Sequence, residues 1–140
     1  MFSDDNYRQF ATVREDGPCG VVLHVFGDVD LSTAGDLEDA IDEIAMGGDS
    51  LLVDLSRCRY LDSSGLTALL HARALLGTRL TILVNSKSQI RRVMQLVGFD
   101  EIFNVVTELH TGVETLRIEN ETQAALALRE SERLFRASDE

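Results

Sequence analysis

The chain has 140 residues, 44% of them hydrophobic, and 13 Lys and Arg against 24 Asp and Glu leave a formal net charge of −11. That length suits one domain with its own core. The charge argues against nucleic-acid and anionic-membrane surfaces, because the cluster Lys87, Arg91 and Arg92 is too small to reverse it. The expected partner is therefore a protein or a small molecule.

No run approaches the ~20 apolar residues that span a bilayer. The segment "MFSDDNYRQF" lacks the basic and apolar regions of a signal peptide, so a cytoplasmic location is expected. In chain order, "FATVRED", "GPCG" and "VVLHVFG" read as strand, turn and strand, punctuated by Gly17, Pro18 and Gly20. The second run, residues 21–26, is apolar at nearly every position, which suits a strand buried on both faces. In "STAGDLEDAIDEIAMGG", Ala34, Leu37, Ala40, Ile41 and Ile44 recur at helical spacing. Ser32 or Thr33 is its candidate cap, and Gly47-Gly48 its stop.

"SLLVDLS" is a short apolar strand over residues 51–55, and "YLDSSGLTALL" opens a helix to about Leu76, with Gly77 as terminator. "LTILV" is a third buried strand. "NSKSQIRRVMQLVG" carries the capping pair Ser86 and Gln89, and "EIFNVV" is a weaker strand. Thr111 and Glu114 suggest a capping box for a last helix from Val113 toward Arg136, fraying after Arg129. The order β-β-α-β-α-β-α-β-α predicts an α/β fold: one mixed sheet of about five strands with helices packed on it.

Functional loops in such sheets gather beyond the carboxyl ends of the parallel strands. Two loops fall there, "GDVDLST" and "RCRYLDSSG". If their strands are neighbours, Asp28, Asp30, Asp62, Ser63 and Ser64 converge on one edge. Ser63 and Ser64 then occupy a first helical turn, where unpaired N–H groups and the helix dipole accommodate a phosphate. Phosphorylation there would crowd about −1.5 to −2 of charge against three aspartates. The plain alternative is an ordinary N-cap. Gly65 costs roughly 1 kcal/mol against Ala in a helix, and it would let another protein's backbone approach.

"DLSRCRYLDSSGLTALL" resembles the phosphorylation-site signature of the STAS family, specifically the bacterial anti-sigma factor antagonists, with Asp62-Ser63-Ser64-Gly65-Leu66 matching its core. The "GDVD" turn resembles the family's Gly-Glu-Leu/Ile-Asp, Gly27 and Asp30 matching and Asp28 replacing the glutamate. "RRVMQLVGFDEIFNV" resembles the family's third helix and last strand. The resemblance spans residues 8–118 as a STAS domain and leaves 119–140 as a helical extension or tail. It implies a STAS-type fold and partner switching. The unphosphorylated form binds an anti-sigma factor that is also a serine kinase, phosphorylation releases it, and a PP2C-type phosphatase restores it. The acceptor carries over to Ser63, with Ser64 second. Gly27, Asp28, Asp30, Ser32, Thr33, Asp62, Ser64, Gly65 and Leu66 are the expected partner-binding positions. The stretch "TQAALALRESERLF" is a candidate for docking on the domain or for self-association.

The rival classes carry less. A serine hydrolase needs a base within reach of the hydroxyl, and the G-x-S-x-G elbow is missing. His71 lies about two turns, some 10 Å, along the same helix. His24 and His110 read as packing or surface histidines. "SSGLT" is no phosphate cradle, and Asp28, Asp30 and Asp62 lack EF-hand spacing. A STAS scaffold that is never phosphorylated is the remaining alternative. No catalytic residue, metal or cofactor is expected. If the strands at 21–26 and 51–55 are parallel, Cys19 and Cys58 fall at opposite ends of the sheet, ~20 Å apart, beyond the ~7 Å Cα limit for a disulfide.

Overall fold

The computed structural model describes residues 9–138. Strand β1 (Ala11–Gly17) turns through Pro18 and Cys19 into β2 (Gly20–Val29), its antiparallel neighbour. Helix α1 (Ala34–Met46), β3 (Leu51–Leu61) and α2 (Ser63–Leu76) follow. Then come β4 (Leu80–Leu83), α3 (Gln89–Leu96), β5 (Asn104–Val106) and α4 (Leu109–Ser138). The sheet order is β1-β2-β3-β4-β5, parallel from β2 onward. The crossover helices and the chain order fit the reading from sequence.

One face of the sheet carries the main core. Leu23 and Val25 of β2 meet Leu37 and Ile41 of α1, Leu69 and Ala72 of α2, and Met94 of α3. Each large aliphatic side chain buried there contributes about 1.5–3 kcal/mol. On the other face Leu116 of α4 closes over Leu52, Leu83 and Val106. A Cβ on Gly112 would sit 3.0 Å from Leu52 and 3.2 Å from Val106, so the glycine lets α4 lie close on the sheet.

Several expected boundaries move. β2 is buried on alternate residues only, with Val22, His24 and Phe26 half-exposed on the α4 side. β5 is limited to Asn104–Val106, behind a short turn of 3-10 helix at Phe99–Glu101. The cap of α3 is Ser88, whose Oγ accepts the N–H of Arg91 at 3.1 Å, and not Ser86. Helix α4 begins at Leu109, so Thr111 and Glu114 lie inside it and form no capping box; Glu114 pairs with Arg117. The helix runs unbroken across the expected boundary at 118 and past Arg129. Among the described residues its last buried one is Leu116, and residues 120–136 are all exposed. Among the described residues no helix is long and apolar enough to cross a membrane.

The largest difference is in β3, which continues six residues beyond 55. Its pairing with β2 shifts twice: His24 faces Asp54 but Phe26 faces Arg57, and Gly27 faces Cys58 but Asp28 faces Tyr60. Each shift places one extra residue on β3, as in a β-bulge. Two bulges carry β3 far enough for Leu61 to lie opposite Val29. The N–H of Asp62 then donates to the carbonyl of Val29 at 3.1 Å.

Candidate functional site

At this edge two chain segments end side by side. On the β2 side, Asp30 organises the connection to α1. Its Oδ1 accepts from the Ser32 N–H at 2.9 Å and the Ser32 hydroxyl at 2.6 Å. The Thr33 hydroxyl donates to the Asp28 carbonyl at 2.9 Å and accepts the Asp30 N–H at 2.9 Å. Hydrogen bonds from Ser32, and then from Thr33, hold the Asp30 carboxyl below the usual carboxylate range. Thr33 is the N-cap residue of α1, but its side chain takes no helix N–H. Asp28 stands within β2 and not in the loop after it.

On the β3 side Asp62 caps α2. Its Oδ1 accepts the N–H of Ser64 at 2.8 Å and of Gly65 at 3.2 Å. Ser63 is the first helical residue and is exposed, and its hydroxyl has no partner among the described residues. Ser64 and Leu66 are half-buried. The expectation that helix N–H groups would receive a phosphate is corrected here. Asp62 already holds two of them, so a charge placed on Ser63 meets that carboxylate instead.

Gly65 is also corrected. It is buried, and a Cβ there would lie 2.4 Å from Leu61 Cδ1 and 3.1 Å from Val29 Cγ1. The glycine makes room for this chain's own strands, not for a partner's backbone. Gly27, buried in β2 with φ +78°, belongs likewise to the second bulge. The exposed members of the edge are thus Asp28, Asp30, Ser32, Thr33, Asp62, Ser63, Ser64 and Leu66, in part or in full. Two residues were missed. Leu31, 84% exposed in the middle of the Asp30 turn, and Tyr60, opposite Asp28, add apolar surface to the acidic rim. The signal was there to read, since a leucine inside the polar turn "DLST" has no core to enter.

The histidines stand elsewhere. His71 bonds Asp42 of α1 at 2.6 Å, His110 pairs with Glu108 at 3.3 Å, and His24 lies between Glu15 and Asp54. The groove beside the edge, lined by Tyr60, Leu61, Ile90 and Val93, encloses about 40 Å³, against roughly 300–1,000 Å³ for a small-molecule site.

Cys19 and Cys58 are both free thiols. Cys58 sits in the second bulge, where its thiol donates to the Tyr60 carbonyl at 3.3 Å. Burial, with a smaller contribution from Asp28, pushes it up to about 11. In the native protein at pH 8, iodoacetamide is expected to modify Cys19 and leave Cys58 until denaturant is added. Equal rates at the two thiols would contradict the buried bulge.

The mixed five-stranded sheet thus carries an exposed serine at a capped helix start, with an acidic turn at the same edge. Residues 12–108 match the family described as "Mlab, STAS domain". Anti-sigma-F factor antagonist RsfB of Mycobacterium tuberculosis is 36% identical over 103 residues, covering 70% of this chain and 84% of that protein. The crystal structure of an anti-sigma factor antagonist from Mycobacterium paratuberculosis superposes with a TM-score of 0.72 at 28% identity, over 79% of this chain and 96% of the other. The Bacillus cell fate determinant SpoIIAA in its phosphorylated form, at 22% identity and TM-score 0.55, shares the fold over 72% of this chain and 96% of its own.

The chain belongs to the STAS domain family, and its relatives include proteins named anti-sigma factor antagonists.

Proposed function

We propose that this chain antagonises an anti-sigma factor by partner switching. In the unphosphorylated state its edge binds an anti-sigma factor that is also a serine kinase, which releases the sigma factor. Transfer of phosphate to Ser63 ends that binding, and a PP2C-type phosphatase restores it. The reading is carried by one observation: Ser63 is exposed at the first position of α2, directly after Asp62, at the sheet edge where the strand carrying Asp28 and the turn of Asp30 also end. Ser64 is the weaker candidate, because its side chain is half-buried behind the Asp62 cap. The names of the relatives support the antagonist role.

The test is incubation with ATP and the cognate anti-sigma kinase, followed by phosphate mapping by mass spectrometry. Phosphate on Ser63, abolished by Ser63→Ala, is the expected result. Incorporation that survives Ser63→Ala would overturn the assignment.

Asp30 separates charge from architecture. Asp30→Asn keeps an acceptor for Ser32 and is expected to retain the native thermal midpoint while weakening kinase binding. Asp30→Ala removes the acceptor as well and is expected to loosen the turn, seen as faster amide exchange at Ser32 and Thr33. If Asp30→Asn bound as tightly as the native chain, the carboxylate charge would have no part in recognition.

A further inference from the structure

Outside the edge, one buried ionisable group remains without a role. Asp54 of β3 is 4% exposed, and a buried carboxylate must be fully hydrogen-bonded or paired. Its Oδ1 accepts the N–H of Ser56 at 2.9 Å and the Ser56 hydroxyl at 2.6 Å. Those bonds span the first bulge, between the residues facing His24 and Phe26. Its Oδ2 meets His24 Nδ1 at 2.7 Å, and His24 Nε2 meets Glu15 Oε2 of β1 at 2.8 Å. Three strands are joined through one imidazole.

Apolar residues flank that ring on its own strand. Along the same face β2 supplies Val22 and Phe26, and α4 brings Val113 and Leu116 against Val22. Arg57 lies over the Phe26 ring at 5.4 Å from its centroid. The titratable groups that face His24 are therefore Glu15 and Asp54.

A neutral imidazole has one N–H, so it can donate to one carboxylate and must turn a lone pair toward the other. Only the imidazolium donates to both. Glu15 has a side chain 67% exposed and is free to swing away, whereas Asp54 is not. We propose that Glu15, His24 and Asp54 form a protonation-dependent latch that ties edge strand β1 to the bulge of β3 and so steadies the register of the edge bearing Asp62 and Ser63. Bulges in parallel pairs are rare, and this one depends on a carboxylate whose charge the latch balances.

Partial burial pulls the His24 pKa down, but the hydrogen bonds to Glu15 and then Asp54 outweigh it and raise it above the ordinary 6.5. The sign follows. The latch contributes its full stability below about pH 6.5 and loses it as pH rises through the higher, folded midpoint.

The experiment is an NMR titration of the full chain, with hydrogen-exchange protection factors measured on both sides of the midpoint. His24 is expected to titrate above 6.5, and Glu15→Gln to lower its midpoint with the fold intact. Protection at Ser56, Arg57 and residues 61–64 is expected to fall at least twofold above the midpoint. His24→Gln should remove that pH dependence. Protection factors at residues 61–64 that do not change through the His24 midpoint would overturn the coupling. A midpoint at or below 6.5 would overturn the latch itself. Neither result bears on whether Ser63 accepts phosphate.

Discussion

Ser63→Asp is expected to weaken binding of the anti-sigma partner by about ten- to a hundredfold, or ~1.4–2.8 kcal/mol, while Ser63→Ala stays within about twofold of the native chain. The asymmetry comes from what surrounds the hydroxyl. Asp62 follows directly on β3 and Asp30 directly on β2, at strand ends paired through Val29 and Leu61. A new carboxylate next to an existing one at a protein surface costs on the order of 1–3 kcal/mol where a partner excludes water. The same charge is nearly harmless to the free domain. An acid in the first turn of a helix is favoured by the dipole, which offsets repulsion from Asp62, so the thermal midpoints of both variants are expected to match the native one. Titration calorimetry against the partner kinase, beside thermal unfolding, checks both halves. Equal affinities of Ser63→Asp and Ser63→Ala would remove the electrostatic basis of the switch.

That edge was half legible in the sequence. Asp62-Ser63-Ser64-Gly65 announces a helix start because each residue type suits its place: an acceptor at the cap, small residues after it, then an apolar run. Helix α1 was readable for a similar reason, since Ala34, Leu37, Ile41 and Ile44 alone account for its buried face. The bulges were not. "SRCRYL" buries every third residue, Cys58 and Leu61, with two exposed residues before each. That spacing is neither the two-residue period of a strand nor the 3.6 of a helix. The extra residues are held by contacts distant in sequence: His24 lies 30 positions from Asp54. Gly65 was misread because its neighbours, Leu61 and Val29, come together only once those bulges have formed. Local choices such as Ser88 over Ser86 depend on which hydroxyl the turn at Asn85 aims at the helix, and both read alike as caps.

Gly20→Ala is expected to cost about 3–5 kcal/mol, a large share of the roughly 5–15 kcal/mol that holds a domain together. Two penalties add there. The backbone has φ +140°, a region open essentially to glycine alone, and forcing an L side chain into it costs of order 1–3 kcal/mol. The added Cβ would also stand 2.6 Å from the carbonyl oxygen of Ser50. That oxygen cannot rotate aside, because it accepts the N–H of Val21 at 2.9 Å where β2 meets the start of β3. Two other glycines separate the penalties. Gly48 has φ +80° with nothing within 4 Å of its would-be Cβ, so Gly48→Ala is expected to cost only the backbone strain, about 1 kcal/mol. Gly35 lies inside α1 with open space and no special φ, and Gly35→Ala is expected to stabilise the domain by about 0.5–1 kcal/mol. Urea denaturation of the three variants gives the ordering directly. If Gly20→Ala and Gly48→Ala were equally mild, the close approach of Gly20 to Ser50 would be wrong, and with it the starting register of β2 against β3, on which the position of every residue at the Ser63 edge depends.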